Sequence, residues 1–462
     1  MREEKDALGT LKIEKEALWG IHTERALRNF HLSDRRVPFS LIAALVTVKQ
    51  AAAIANAELG FLPKDIAEAI GAACEKIVNN EQEYAACFPL DALQGGAGTS
   101  TNMNVNEILA NMALEFLGRK RGDYAAVDPL AHVNLHQSTN DVYPTAVKIA
   151  AIAALRALSD ALAKLQGAFQ AKEKAFADII KMGRTELQPA VPMTLGQEFS
   201  AFAEAVARDR WRTFKCEERL RLVNIGGTAI GTGLTAPRAY IFRVIEVLRS
   251  LTGMGLARSE NVIDGTANAD VYVEVSGIFK AAAVNMAKIA ADLRLLHFLG
   301  EIALSPMQAG SSIMPGKINP VVMEAVMQTT LVVRANDMII AECAAHGTLQ
   351  INEFMPLIAH ALLESIHLLK TTALMFAGHV EGVTADPDRC REFVEDNPAI
   401  MTALLPHIGY EKAHALMKEF AVAKAKEPKT SLKDFLSAQI GEDVTNAALS
   451  ECNLIGLGYT GE

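Results

Sequence analysis

The chain has 462 residues, half of them apolar, a formal net charge of −9 and six cysteines. That length supports more than one folded unit around a large core, and the mild acidity with dispersed basic residues excludes the electrostatic footprint of a nucleic-acid binder. Cys74, Cys87, Cys216, Cys343, Cys390 and Cys452 form no CxxC pair, so they read as reduced packing thiols, neither a disulfide framework nor a metal set.

In chain order, the N-terminal MREEKDALGT is charged where a signal peptide needs an apolar segment. No run of about eighteen residues is free of polar groups, so a cytoplasmic protein with no membrane partner is expected. Residues 41–58 (LIAALVTVKQAAAIANAE) predict a helix, and Leu62-Pro63-Lys64 begins the next with proline near its first turn. Loop compositions follow at 95–102 (GGAGTSTN) and 138–144 (STNDVYP). Leu155, Leu158, Leu162, Leu165 and Phe169 then step by three and four along one face of a bundle helix. A turn region at 226–237 (GGTAIGTGLTAP) precedes a helix over about 272–297. There Phe279, Ala283, Met286, Ala290, Leu293 and Leu296 form the stripe, while Ala281, Ala282, Ala287 and Ile289 make the other sides apolar too. A helix apolar on several sides points to association between subunits. Beyond the loop 310–320 and after about residue 390 lies a small helical module punctuated by Pro398 and Pro406. Strand-like alternation is scarce, and the fold class is all-α.

The loop GSSIMPGKINP (310–320) has the look of a phosphate loop. However, five residues separate Gly310 from Gly316 where four are required, and Ile318 stands where a metal-binding Ser or Thr is needed. What the loop offers is two hydroxyls (Ser311, Ser312), one ammonium (Lys317) and one amide (Asn319), a chemistry that an ordinary surface turn does not need. The segments Gly98–Asn106 and Gln137–Asp141 each set Thr, Ser and Asn side by side, as neutral donors suited to carboxylate oxygens. Helix capping explains the same residues. The two readings are compatible, because a helix N-terminus also presents free N–H groups to an anion. His132 and His136 stand four apart, but no Glu follows His132 and no third ligand is evident, so no metal is expected. Gly226, Gly227, Gly231 and Gly233 lack the acidic residue of a dinucleotide fingerprint and read as turns.

Together these strings resemble the aspartase and fumarase superfamily, co-linearly over almost the whole chain. GSSIMPGKINP is similar to its signature, and GTSTNMNVNE, STNDVYPT, GRTELQ and TLGQEF are supporting matches. The resemblance implies a helical three-domain subunit, falling here at 1–140 (N-terminal helical), 141–390 (central long-helix bundle) and 391–462 (small C-terminal helical). It also implies a homotetramer cored by a twenty-helix bundle, active sites each built from three subunits, and reversible elimination from a small dicarboxylate to fumarate. By position, Ser311 resembles the catalytic base, with Ser312, Lys317 and Asn319 helping to hold substrate. Thr99, Ser138, Thr139, Asn140 and Thr185 match the residues that grip the two carboxylates. Removing a proton beside a carboxylate creates a doubly charged aci-carboxylate, which pre-placed donors can stabilise. The serine alkoxide in turn needs Lys317, backbone N–H groups and exclusion of water. All these groups are in the chain, so no cofactor is expected.

The leaving group distinguishes the branches. Hydroxide needs a general acid, which in fumarases is a histidine after the Thr of GRT; here that position is Glu186. Ammonia leaves from an already protonated amine, so an aspartase does without it. GTSTN, the segment Gly20-Ile21-His22-Thr23 with Arg25 as a substrate-binding residue, and Gln308-Ala309 also resemble the aspartase branch, while Trp19 is fumarase-like. The expected reaction is deamination of L-aspartate. The alternatives are a fumarase or related C–N lyase, and a catalytically silent paralogue. Departures from the family pattern are a missing SGPR-type loop between Leu296 and Gly300, Leu405 and Thr235 in place of usual asparagines, and Glu186 itself, a possible modulator.

Overall fold

The computed structural model describes residues 1–458. Five long helices, Thr139–Ala175, Leu195–Leu220, Asp270–Leu299, Val321–Ala345 and Met355–Glu381, dominate it. β-Structure is confined, among the described residues, to four two-stranded sheets and two isolated bridges, Arg36 with Asp91 and Thr348 with Ile351. The Leu155-to-Phe169 stripe is buried throughout, as its spacing predicts. In Asp270–Leu299 the expected stripe is likewise buried, but Val284 on another side is 47% exposed.

The chain divides into two compact units, the first comprising residues 1–160, 209–283 and 329–370, the second 161–208, 284–328 and 371 onward. In the first unit, the helix Phe39–Glu58 is by length and composition apolar enough to cross a membrane, yet 67% of its most apolar window is buried. It is a core helix, and Lys49 within it is fully buried. Also in this unit, Glu217 accepts bonds from Arg156 and Arg221. The Arg156 guanidinium, first among the causes, lowers the Glu217 pKa from 4.5 to about 2. A depressed carboxyl contributes stability that is complete above the unfolded value and is lost as pH falls through the folded one. Glu217→Gln should therefore flatten the stability-versus-pH curve between about 4.5 and 2, as read by urea unfolding at stepped pH. An unchanged slope would mean that the pair contributes nothing there.

In the second unit, Phe169, Phe176, Phe199, Phe202 and Phe376 meet at ring-centroid distances of 5.2 to 6.2 Å, mostly edge to face. A separate core forms around Ile400, Leu404, Leu416, Phe420, Leu432 and Leu436 and takes in Met182. Met182 lies on a hairpin, Ile180–Thr185 with Gln188–Thr194, which the sequence reading missed. Asn397 caps the turn that Pro398 begins, its side chain accepting the Ala399 N–H at 3.1 Å.

Two segments read as loops prove to be helix starts. Thr99 opens the helix Thr99–Phe116, and Thr139 opens Thr139–Ala175 with Pro144 inside it. Proline removes the N–H that would have bonded the Asn140 carbonyl, and that oxygen accepts the Asn224 amide at 2.9 Å instead. Tolerance of Pro144 thus depends on a tertiary partner.

Candidate active site

In the first unit the two helix starts are locked together. Gly98 has φ of 94°, and a Cβ there would lie 2.5 Å from the ring of buried Tyr143, so only glycine lets the Thr99 start approach the Thr139 helix. Across that approach the Asn102 amide donates to Thr139 Oγ1 at 3.0 Å. The Thr99 hydroxyl donates to the Gly96 carbonyl at 2.7 Å, and Ser138 Oγ accepts the Asn140 N–H at 3.3 Å. Thr99, Ser138, Thr139 and Asn140 thus belong to one region of polar groups and helix N-termini; Ser138 caps the Thr139 helix, while the Thr99 helix start makes no side-chain cap bond. The Asn140 amide is committed to the Ala229 carbonyl at 2.7 Å.

Behind this region lie groups that sequence reasoning did not single out. The Lys49 ammonium donates to Asn134 Oδ1 at 2.8 Å and to Gln137 Oε1 at 2.9 Å, and Asn106 donates to the same Asn134 oxygen at 3.2 Å. Asp141, fully buried, accepts the backbone N–H groups of Ser138, Gly226 and Thr228 at 2.9 to 3.1 Å. Burial pushes the Asp141 carboxyl up to about 7, against those donors and the charge of Lys49, and burial pulls Lys49 down to about 7. The signal in the sequence was Lys49 itself, a charge in the middle of a helix whose other charged residue is the terminal Glu58.

The segment that carries Arg25 is tied to the same region by Glu107. Its buried carboxylate accepts the N–H groups of Gly20, His22 and Thr23 and the Thr23 hydroxyl, capping the helix Ile21–Asn29. Burial raises the Glu107 pKa while the four donors oppose it. Arg25 holds Asp6 through two bonds of 2.6 and 2.7 Å, and this holds the Asp6 carboxyl down at about 2. The guanidinium is therefore paired within the chain. His132 and His136 are not a metal pair on one helix: His132 Nδ1 accepts the Asp128 N–H, and His136, at φ of 59°, bonds Asn56. Thr235 has φ of 78°, a conformation that the family's usual asparagine adopts more readily than a β-branched residue.

In the second unit the loop 310–319 is closed on itself. The Gly310 N–H donates to the Lys317 carbonyl at 2.8 Å and the Asn319 amide to the Gly310 carbonyl at 2.9 Å. A Cβ on Gly310 would lie 2.6 Å from the Lys317 oxygen, so a side chain there would open the closure. Inside it, Ser311 Oγ accepts the N–H groups of Ile313 at 3.2 Å and Met314 at 2.9 Å. Ser311 and Lys317 line one hollow of about 440 Å³. Ser312 and Lys317 are exposed, and the Lys317 ammonium has no ion-pair partner among the described residues. Thr185 ends a hairpin strand opposite Gln188, with Glu186 and Leu187 forming the turn. Among the described residues no three His, Cys, Asp or Glu side chains converge as a metal site.

The helical fold, the two hydroxyl-rich helix starts and the glycine-closed serine loop define a class, and the chain belongs to it: the lyase family, whose sequence model matches residues 9–335, within the aspartase and fumarase superfamily. The aspartate ammonia-lyase of Pseudomonas aeruginosa is 46% identical over 428 residues, covering 90% of each chain. Among solved structures, a fumarate lyase/delta crystallin from Brucella melitensis superposes with a TM-score of 0.92 at 42% identity, covering 97% of this chain and 98% of that one. A class II fumarase from Schistosoma mansoni gives 0.89 at 30% identity, covering 97% and 99%.

Proposed function

We propose that the chain is an aspartate ammonia-lyase, converting L-aspartate reversibly to fumarate and ammonia. The observation that carries the mechanism is the pair of N–H groups aimed at Ser311 Oγ, with Lys317 on the same closed loop. Donors that face a hydroxyl oxygen favour its alkoxide, and the alkoxide is the base. Ser311 takes the proton from the carbon beside the side-chain carboxylate, and the electron pair left there is held as an aci-carboxylate. That pair then forms the double bond as the C–N bond breaks, and the protonated amine departs as ammonia. Thr99, Ser138, Thr139, Asn140 and Thr185 hold the two carboxylates, with Ser312, Lys317, Asn319 and Arg25 assisting. Arg25 does so only after exchanging Asp6 for substrate. Identity to aspartate ammonia-lyases favours ammonia over hydroxide as leaving group, as does the carboxylate of Glu186 where fumarases place histidine. Turnover of aspartate, malate and argininosuccinate, followed in parallel by the absorbance of fumarate, tests the assignment. Aspartate should be by far the best of the three, and equal turnover of malate would sink it.

The working form we propose is a homotetramer of three-domain subunits with composite active sites. Trp211, Phe214, Leu331 and Met338 are each at least 60% exposed, and Val284, Val332, Leu374 and Met375 at least 40%; all lie on the long helices and suit contact between copies. Six free cysteines, with no disulfide, fit a reducing cytoplasm. Lys317→Ala should raise the KM for aspartate about tenfold or more, because the other donors of its loop are neutral. Unchanged affinity for a dicarboxylate inhibitor would transfer that role to another cation.

A further inference from the structure

Within the first unit, the helices Phe39–Glu58, Thr139–Ala175 and Met355–Glu381 and the end of a fourth, Arg238–Thr252, surround a pocket of about 510 Å³. None of its lining residues is among those that hold the substrate. The sequence explains the space. Ala43 and Ala44 face it from the first helix, and Ala150, Ala153 and Ala154 from the second. Protein interiors pack as densely as organic crystals, and five methyl side chains leave open what leucines in their place would fill. Leu363 and Ile366, 5% and 1% exposed, give the pocket an apolar floor, and Leu251 at its rim is 40% exposed.

The polar groups of this wall leave one charge unmatched. Two hydroxyls are spent within their own helices, Thr47 on the Ala43 carbonyl at 2.9 Å and Thr252 on the Leu248 carbonyl at 2.8 Å. His367 already has a partner, and no carboxylate lines the pocket. Lys370 differs: it is half-buried and has no ion-pair partner among the described residues. No acid stands three or four positions from it, and the nearest on its helix, Glu364, accepts the Asn336 amide at 2.9 Å. A cation therefore finds nothing to bond here, whereas an anion finds an ammonium beside an apolar wall. Charge-assisted bonding and burial of hydrocarbon together select a ligand with one anionic head and an apolar body. A dicarboxylate is a poor match, because its second charge would lie unpaired against alanine and leucine.

We propose that this pocket binds a small hydrophobic monocarboxylate, its hydrocarbon body against the alanine wall and its carboxylate on Lys370. Binding is read without turnover, so the inference stands or falls separately from the assignment as an ammonia-lyase.

The test is calorimetric titration of the full-length, assembled protein with 4-phenylbutyrate, using the isosteric neutral 4-phenylbutanamide as control. The carboxylate should bind at one site per chain and about tenfold more tightly than the amide, the scale of a charge-assisted bond. Lys370→Gln should remove that preference, and Ala154→Leu, which fills the pocket but keeps the charge, should weaken both ligands severalfold. Lys317→Ala should leave the binding as it was, because that ammonium belongs to the substrate loop. Circular dichroism and thermal melts establish that each variant is folded, and the two pocket substitutions lie on different helices, so one remains informative if the other disturbs the packing. No binding of the carboxylate, as when a second copy of the chain fills the pocket, would overturn the proposal. So would equal affinity for the amide, a preference undiminished in Lys370→Gln, binding untouched by Ala154→Leu, or binding lost in Lys317→Ala.

Discussion

Replacing Ser311 by alanine should lower the turnover of L-aspartate about 1,000-fold or more, the scale expected when a unique base is lost, while folding and assembly remain as they were. The asymmetry follows from the loop's construction. Its closure runs through the Gly310 N–H, the Lys317 carbonyl and the Asn319 amide, none of which involves the serine side chain. The two N–H groups that face Ser311 Oγ are exposed and pass to water when it is removed. The stability change should therefore stay within about 0.5 kcal/mol, as for other surface substitutions. Near-normal turnover by the variant would disqualify Ser311 as the base and leave Ser312 as the next hydroxyl to test.

Asp141→Ala should do the reverse and act first on stability. Its carboxylate is the acceptor for three backbone N–H groups, two of them from the turn 226–228. Its removal leaves those donors unsatisfied and takes away the charge that favours protonated Lys49. Breaking one side of such a buried arrangement costs about 3–5 kcal/mol, which urea unfolding should read directly. Asp141→Asn keeps one acceptor oxygen and should cost less. A loss below about 1 kcal/mol for the alanine variant would mean that water replaces the carboxylate, an outcome at odds with its burial.

These two residues mark the boundary of what the sequence discloses. Ser311 stood out because its loop concentrates unusual chemistry in a short string, and the role proposed for it comes through a family resemblance. Asp141 lay in plain view within STND, where its bond to the Ser138 N–H is local, yet its other bonded partners lie in a turn beyond residue 225 and the charge it acts on, Lys49, is 92 positions upstream by numbering; no local pattern encodes that convergence. Two of the five long helices, those holding Leu155–Phe169 and residues 272–297, were legible from their stripes, whose period reports directly on burial. The hairpin at 180–194 was not: two prolines and a bulge interrupt its alternation, and its turn lacks glycine. Thr99 and Thr139 were placed in loops because Ser, Thr and Asn favour helix starts and turns alike, and only Gly98 against Tyr143 shows how those starts are packed.

The central claim is that ammonia, not water, leaves as Ser311 removes the neighbouring proton. Purified protein supplied with L-aspartate alone should release ammonia and fumarate in equal amounts, and the Ser311→Ala variant should lose both products together. Fumarate without matching ammonia, or no reaction with aspartate alongside rapid hydration of fumarate to malate, would contradict the account.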